Sequence, residues 1–388
     1  MTTISPQQLQ RYPSIRDLQA RAKRRLPLIA WEYLDMGTGD EKAVSRNRSS
    51  LDRITLLPQF MKGKLVPNLE TALFGRKYAT PFGVAPIGLT GLIWPNAEKI
   101  LAKTAAAYQF PYTLSTVATQ TPETIGPLAG EMGWFQLYPP REDEICDDLL
   151  QRARDNGFHT LVVTADVPAP SRRERTTRAG LRMPPRVTPY FVYQALRNPV
   201  WTAATLRHGF PHLRTIQKYA GVGSIGNASG FVGRKLGGTL SWDYLQRVRD
   251  QWDGPLIVKG LLHPADAEKA IGIGVDGIGV SNHGGRQFDG APAAIDALPA
   301  IGAQVNGRAA IVFDSGVRTG LDIIRALALG ADFVLLGRAF MFGVAAFGEQ
   351  GGDHSAEILS AELKSNMAQL GVTTIDEIKQ LEPQISLI

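Results

Sequence analysis

Eight short apolar runs, each long enough for one buried strand and set apart by room for a helix, constrain this chain more than any other feature. They are FGVAP (82–86), PYTLS (111–115), WFQLY (134–138), LVVTA (161–165), LIVKG (256–260), GIGVS (277–281), AIVFD (310–314) and DFVLLG (332–337). Runs that are apolar throughout suit strands covered on both faces, as in a parallel sheet. Their starts lie 29, 23, 27, 95, 21, 33 and 22 residues apart, and every interval but the fourth fits one strand, its loops and a crossover helix. Helical patterns follow the first run (NAEKILAKTAAAYQF), the third (EDEICDDLLQRARDNG), the fifth (PADAEKAIGIG) and the seventh (GLDIIRALALG), and several end in the glycine of a helix C-cap. Eight such units predict an α/β fold, a closed (β/α)8 TIM barrel with an N-terminal helical segment and a long insertion after strand four. An open doubly wound sheet has no reason to stop at eight.

The 388 residues are read as a single barrel domain, 1–388, since such barrels grow to about 400 residues with insertions. Residues 167–255 form the insertion, a basic segment or lid. The only cysteine, Cys146, excludes a disulfide framework or a thiolate metal site. No pair of histidines has metal-ligand spacing with carboxylates, so no metal is expected. No uncharged apolar run reaches the length of a membrane span, and the N-terminus lacks the apolar core of a signal peptide, which points to a cytoplasmic protein.

Net charge is +6, but it is concentrated. Between Ser171 and Lys218 ten Arg and Lys face a single acid, Glu174, so this stretch is +9 and the rest of the chain is −3. Apolar and aromatic residues interleave with the charges in VTPYFVYQALRNPVWTAATLRHGF, a mixture that suits the surface of an anionic membrane. A solvated lid and an oligomer contact are the other uses of such a segment. Nothing in it matches a nucleic-acid-binding motif, so no nucleic-acid partner is expected. Two GxGxxG matches, GIGVDG (272–277) and GVGSIG (221–226), lack the strand-then-helix context of a dinucleotide site and read as turn glycines.

In a barrel of this kind the chemistry sits where the strands end. Strand one is followed by Pro86, Ile87 and Gly88; strand two ends at Ser115; strand three carries Gln136 and Tyr138; strand four carries Thr164 and Asp166. Strand five ends in Lys259, strand six in Ser281 and His283, strand seven in Asp314, Ser315, Gly316, Val317 and Arg318, and strand eight in Gly337 and Arg338. The last two sets have the glycine amides and arginines of a phosphate site. A buried Lys259 is costly without an anion or polar partner. A phosphorylated aromatic cofactor with polar edges answers all of these groups together. His283, in SNHGGRQFDG, is the side chain best poised to move a proton near neutral pH.

The stretches SNHGGRQ, DSGVR, LLGRA, WFQLY, LVVTADVP with its following RRE, and LPLIAWEYLDMGTGDE together resemble the FMN-dependent 2-hydroxy-acid dehydrogenase and oxidase family, which includes glycolate oxidase, flavocytochrome b2 and bacterial lactate and mandelate dehydrogenases. The resemblance runs in order from about residue 9 to 370. It implies FMN held by Pro86, Ile87, Gly88, Ser115, Gln136, Thr164, Lys259 and Ser281, with its phosphate on Asp314, Ser315, Gly316, Val317, Arg318, Gly337 and Arg338. His283 is then the general base and Asp166 its carboxylate partner. Arg173 and Arg286 match the family's arginines for the substrate carboxylate, and Tyr33 and Tyr138 its substrate tyrosines. The reaction implied is oxidation of an L-2-hydroxy acid, lactate- or mandelate-like, to the 2-oxo acid, with reoxidation by a quinone, a cytochrome or oxygen. Gly88 stands where oxidase members tend to have alanine and mandelate dehydrogenase has glycine, which implies that oxygen is a poor acceptor. Ile87 stands where many relatives have threonine, so no side-chain contact is expected from it. The insertion is most similar to that of the membrane-associated members, which implies peripheral attachment to the inner face of the cell membrane, and relatives imply a homotetramer. A non-redox isomerase or lyase on a phosphate-binding barrel is the competing reading, and a scaffold that has lost activity is a third.

Overall fold

The structure, a computed structural model, describes residues 4–181, 188–219, 236 and 240–385. Eight parallel strands close into a ring: β1 (Phe82–Val84), β2 (Tyr112–Ser115), β3 (Gly133–Leu137), β4 (Thr160–Thr164), β5 (Leu256–Leu261), β6 (Gly277–Val280), β7 (Ala310–Asp314) and β8 (Phe333–Leu336). Each strand pairs with its neighbours in sequence, and the ring shuts where Val334, Leu335 and Leu336 of β8 pair with Phe82, Gly83 and Val84 of β1. Nearly every strand residue is buried, because ring interior and surrounding helices cover both faces.

A helix follows every strand: Ala97–Tyr108, Pro122–Ala129, Asp143–Asp155, Trp242–Gln251, Pro264–Gly272, Ala294–Val305, Gly320–Ala328 and Arg338–Phe347. The four expected from the sequence are among them. Two of the others hide behind an internal proline, Pro127 and Pro299, which depresses apparent helix propensity. GIGVDG runs from the end of helix Pro264–Gly272 into β6 as a turn, while GVGSIG lies outside the described residues.

The two ends of the ring differ. At the N-terminal end a hairpin, Thr71–Leu73 with Arg76–Tyr78, plugs the opening. Tyr78 packs its ring against Trp134 and Phe333 at 6.4 and 5.5 Å between centroids. With that end filled by aromatic side chains, it is the C-terminal end that opens onto a cavity. Helices Leu28–Asp35 and Lys42–Asp52 arch over that open end. Asn47 exchanges two 2.8 Å hydrogen bonds with Asn282 just beyond β6, and Arg48 donates to the Gly316 carbonyl beyond β7 at 2.7 Å.

Between β4 and β5 the described residues form helices Glu174–Arg178, Pro189–Arg197, Pro199–His208 and Arg214–Gln217. Trp201 anchors the middle pair, its indole N–H donating to the carbonyls of Leu92 and Ile93 at 3.3 and 3.1 Å. The outer helix, Pro189–Arg197, buries no residue at all.

Candidate functional site

A cavity of about 950 Å³ opens at the C-terminal end of the ring. Most of the residues singled out by sequence line it: Tyr33, Pro86, Ile87, Gly88, Tyr138, Thr164, Arg173, Lys259, His283, Arg286, Asp314, Ser315, Gly316, Val317, Arg318, Gly337 and Arg338. Ser115, Gln136 and Ser281 do not line it. They are buried beneath it with their polar groups engaged. Ser115 Oγ donates to Gln136 Oε1, and Gln136 Nε2 donates to Thr164 Oγ1, each at 2.8 Å. Gln136 thereby fixes the orientation of Thr164, which does reach the cavity.

Lys259 is only 6% exposed. Its ammonium donates to Ser281 Oγ and pairs with Asp314 Oδ2, both at 2.9 Å, while Ser281 Oγ donates to Asp314 Oδ1 at 2.8 Å. Burial disfavours the charge, but Asp314 and Asp166 outweigh it and hold the lysine above its usual range. Breaking such a buried pair from one side costs about 3–5 kcal/mol, because the remaining charge has no partner.

The turn after β6 is unusual in its backbone. His283, Gly284 and Gly285 follow one another with φ of +57°, +64° and +74°. A side chain at 285 would put Cβ 2.7 Å from the Val44 amide nitrogen, so the second glycine is required for close approach. A left-handed histidine carries strain of about 1–3 kcal/mol, which side-chain oxygens offset. Ser281 Oγ accepts the His283 amide at 3.0 Å, and Ser315 Oγ accepts the amides of Asn282 and Gly284 at 3.2 and 3.0 Å. Ser315 is thus a pin for this turn as well as part of the cavity wall. Neither the left-handed run nor the Asn47–Asn282 brace was expected from sequence; the only signal was the adjacent pair of glycines.

The same geometry aims the imidazole. Its Nδ1 lies 2.8 Å from Asp166 Oδ1, which places the ring proton there and leaves Nε2 bare, facing the Tyr138 hydroxyl at 3.4 Å. Burial lowers the His283 pKa, and Lys259 and Arg173 lower it further against the pull of Asp166. Burial raises Asp166, but His283 and Lys259 more than reverse this, so the carboxylate stays ionised. Tyr138 stays a phenol, raised by burial and by Asp166. At rest the pair is therefore a neutral imidazole backed by a carboxylate, an arrangement able to accept a proton.

Asp166 owes its place to an irregularity in β5. The pairing of β5 with β6 shifts register between Lys259 and Leu261, and Gly260 at the shift has φ +108°. A Cβ at 260 would fall 2.6 Å from Asp166 Cβ and Cγ.

Five arginines line the cavity, Arg141, Arg173, Arg286, Arg318 and Arg338, and among the described residues none of them forms a salt bridge. Arg286 donates to the carbonyls of Tyr33 and Met36 at 3.0 and 3.3 Å. Arg338 donates to Leu34, Gly284 and Met36 at 3.2, 3.0 and 2.6 Å, and Arg318 to Val317 at 2.8 Å. Arg173 donates to Ser171 Oγ at 3.1 Å. Burial pushes Arg286 down to about 9, with Arg173 and Arg338 adding to it. Burial likewise pushes Arg318 and Arg338 down to about 10, aided by Arg48 and by Arg318 respectively. Guanidinium groups remain charged in proteins, and clustered cations removed from water favour an anion beside them. Arg286 and Arg338 meet at the Met36 carbonyl, with Arg173 beside the one and Arg318 beside the other, so the cavity wall is strongly cationic.

Tyr33 hydroxyl donates to the Gly88 carbonyl at 2.9 Å, and the Arg286 guanidinium lies 5.2 Å from the Tyr33 ring centroid. Arg141 and Gln287 also line the cavity and were not foreseen. Beyond the arginines the wall turns apolar, with Val117, Leu181, Leu213 and Leu236.

Comparison with known proteins accounts for a cavity with this cationic wall. Residues 22–383 match the family described as FMN-dependent dehydrogenase. The chain belongs to that family. It is similar to the L-lactate dehydrogenase of Pseudomonas aeruginosa (strain LESB58), 40% identical over 364 residues that cover 93% of this chain and 95% of that protein. Among solved structures it is similar to the monotopic membrane protein (S)-mandelate dehydrogenase, with 32% identity and a TM-score of 0.90 over 96% of this chain and 99% of that one. It is also similar to mandelate oxidase, with 32% identity and a TM-score of 0.82 over 97% and 100% of the two chains. As a member of the FMN-dependent dehydrogenases the chain is an oxidoreductase on a (β/α)8 barrel, with FMN as its cofactor. The isomerase and scaffold readings fall away. Arg318 and Arg338, half-buried, outside any salt bridge among the described residues and beside the glycines at 316 and 337, fit a phosphate-bearing cofactor.

Proposed function

We propose that this enzyme oxidises an L-2-hydroxy acid to the 2-oxo acid, with His283 as the base. The observation that carries the reading is the bare Nε2 of His283, set in the wall of a cavity that Arg173 and Arg286 also line. Arg173 and Arg286 bind the substrate carboxylate, for which the planar fork of arginine is suited. Tyr33 and Tyr138 complete that cluster and orient the hydroxyl. Oxidation removes the hydroxyl proton and the hydrogen on Cα together with two electrons. His283 Nε2 accepts one proton, and Asp166 stabilises the imidazolium that results.

Bound FMN would supply the acceptor for the two electrons and the remaining proton. Its ring would lie against the backbone at Pro86, Ile87 and Gly88, with Thr164 and Lys259 at its polar edge, and Ser115, Gln136 and Ser281 holding those groups from below. Lys259 favours negative charge on its neighbours in a dry site. The residues from Asp314 to Arg318, with Gly337 and Arg338, would hold the phosphate. The apolar wall at Val117, Leu181, Leu213 and Leu236 favours a side chain larger than methyl, as in mandelate.

The insertion is the proposed site of attachment to an anionic membrane. On helices Pro189–Arg197 and Pro199–His208, Leu196 and Leu206 are each 75% exposed, with Tyr190, Val192, Tyr193 and Val200 beside them. Arg197 and Arg207 lie among them. Burying each leucine favours binding by about 1.5–3 kcal/mol and each basic residue adds about 1 kcal/mol near anionic lipid. Among the described residues no helix is long and apolar enough to cross a membrane, so attachment would be to one face. Electrons would then pass to a quinone or cytochrome-type acceptor. The deciding experiment is anaerobic mixing of the yellow protein with mandelate, lactate and glycolate in turn: bleaching of the flavin absorption is expected, and its absence with every 2-hydroxy acid ends the reading.

A further inference from the structure

The Arg175 side chain occupies the meeting point of three carboxylates. It is ion-paired with Glu32, with Asp35 at 3.2 Å and with Glu41 at 3.0 Å. Arg175 belongs to the short helix Glu174–Arg178, whose N-terminal neighbour is Arg173. Glu32 and Asp35 belong to the helix that carries Tyr33, Leu28–Asp35. Arg175 therefore joins two elements remote in sequence, each bearing one side chain of the proposed substrate site.

The turn from Leu34 to Glu41 is where other parts of the site converge. Arg286 and Arg338 donate to the Met36 carbonyl. Thr38 Oγ1 donates to the Arg172 carbonyl at 2.5 Å, and its amide to the Gly285 carbonyl at 3.1 Å. The Gly39 amide donates to Glu174 Oε2 at 3.1 Å, and the Gly37 amide to Glu41 Oε1 at 2.8 Å. Arg175 is the one cation ion-paired with this turn's side chains among the described residues. Without it Glu32, Asp35 and Glu41 are three like charges in close quarters, which repel.

We propose that Arg175 is a positioning residue for the oxidation. By neutralising this triad it holds the Arg173 turn against the Tyr33 helix and so keeps the carboxylate-binding arginine in place. The inference rests on the proposed 2-hydroxy-acid reaction. Arg175 does not line the cavity, so it acts on substrate only through Arg173 and Tyr33.

The test uses Arg175→Met, Arg175→Lys and Arg175→Met combined with Glu41→Gln, each as purified holoenzyme with FMN content measured. For Arg175→Met the expected result is a KM for the hydroxy acid raised at least tenfold, a kcat within about threefold of the parent, and unchanged FMN content and flavin spectrum. Arg175→Lys should recover part of the KM, because an ammonium can satisfy one carboxylate but not three in a fixed fork. Adding Glu41→Gln to Arg175→Met should also recover part of it by removing one repelling charge. An unchanged KM in Arg175→Met, or a fall in thermal stability with KM and kcat moving together and no recovery in the double variant, overturns the proposal. Failure of the parent protein to be reduced by any 2-hydroxy acid would instead overturn the reaction on which it rests.

Discussion

Two connections on the open end of the ring carry the arginines of the proposed carboxylate site, and they are built in opposite ways. The turn after β6 places His283 and Arg286 within a few residues of the strand, in a left-handed run fixed by Ser281, Ser315 and Asn282. The connection after β4 runs from 165 to 255, carries Arg173 near its start, and presents exposed leucines and tyrosines on its outer helices. The proposed proton chemistry needs sub-ångström placement and falls to the short, strained element. The proposed contact with a membrane needs exposed apolar area and falls to the long one. Arg173 is the point where the long element must nevertheless be held to the precision of the short one.

Changes in the short turn should have the largest effect. His283→Asn is expected to slow substrate-dependent flavin bleaching by about 10²–10⁴-fold, the usual contribution of a positioned base, while the protein keeps its yellow colour; anaerobic stopped-flow absorbance measures it. Arg286→Lys should lower kcat/KM by about 10–150-fold, since hydrogen bonds to charged groups contribute about 1.5–3 kcal/mol, with steady-state dye reduction as the measurement.

The pH profile sharpens the comparison. The base must be neutral to accept a proton, and burial lowers the His283 pKa below the ordinary 6.5. The kcat/KM should therefore be flat at neutral pH and fall about tenfold per pH unit below that lowered pKa. Asp166→Asn removes the influence that raises it, so the acid limb should move to still lower pH while the plateau drops.

The smallest effect on catalysis should come from the long connection. Leu196→Asp with Leu206→Asp should leave kcat and KM with a soluble dye within about twofold, yet abolish co-sedimentation with anionic vesicles at low salt. Retained co-sedimentation would remove membrane attachment from the role of these helices.

The strand count and the strand-end chemistry were legible in the sequence because a buried parallel strand is apolar throughout and its last residues are abruptly polar. Lys259, His283 and Arg338 stand out against such runs. The helices bearing Pro127 and Pro299 were not legible, since tertiary packing, not local propensity, holds them. Ser115, Gln136 and Ser281 were singled out, but their burial beneath the cavity and their hydrogen bonds to one another, Thr164, Lys259 and Asp314 depend on strands brought together only by the fold. The Arg175 triad was invisible for a different reason: the partner that makes Glu32, Asp35 and Glu41 a joint lies more than a hundred residues away. Membership in the FMN-dependent dehydrogenases came from motifs distributed along the chain, among them SNHGGRQ and DSGVR.

The ring is sealed by pairing between its first and last strands, Phe82–Val84 and Phe333–Leu336, and Arg338 lies two residues beyond the last. During synthesis the pocket therefore does not exist until almost the whole polypeptide has left the ribosome. Cofactor capture should come late in synthesis, and a ribosome stalled before residue 333 should carry a colourless chain however much flavin surrounds it.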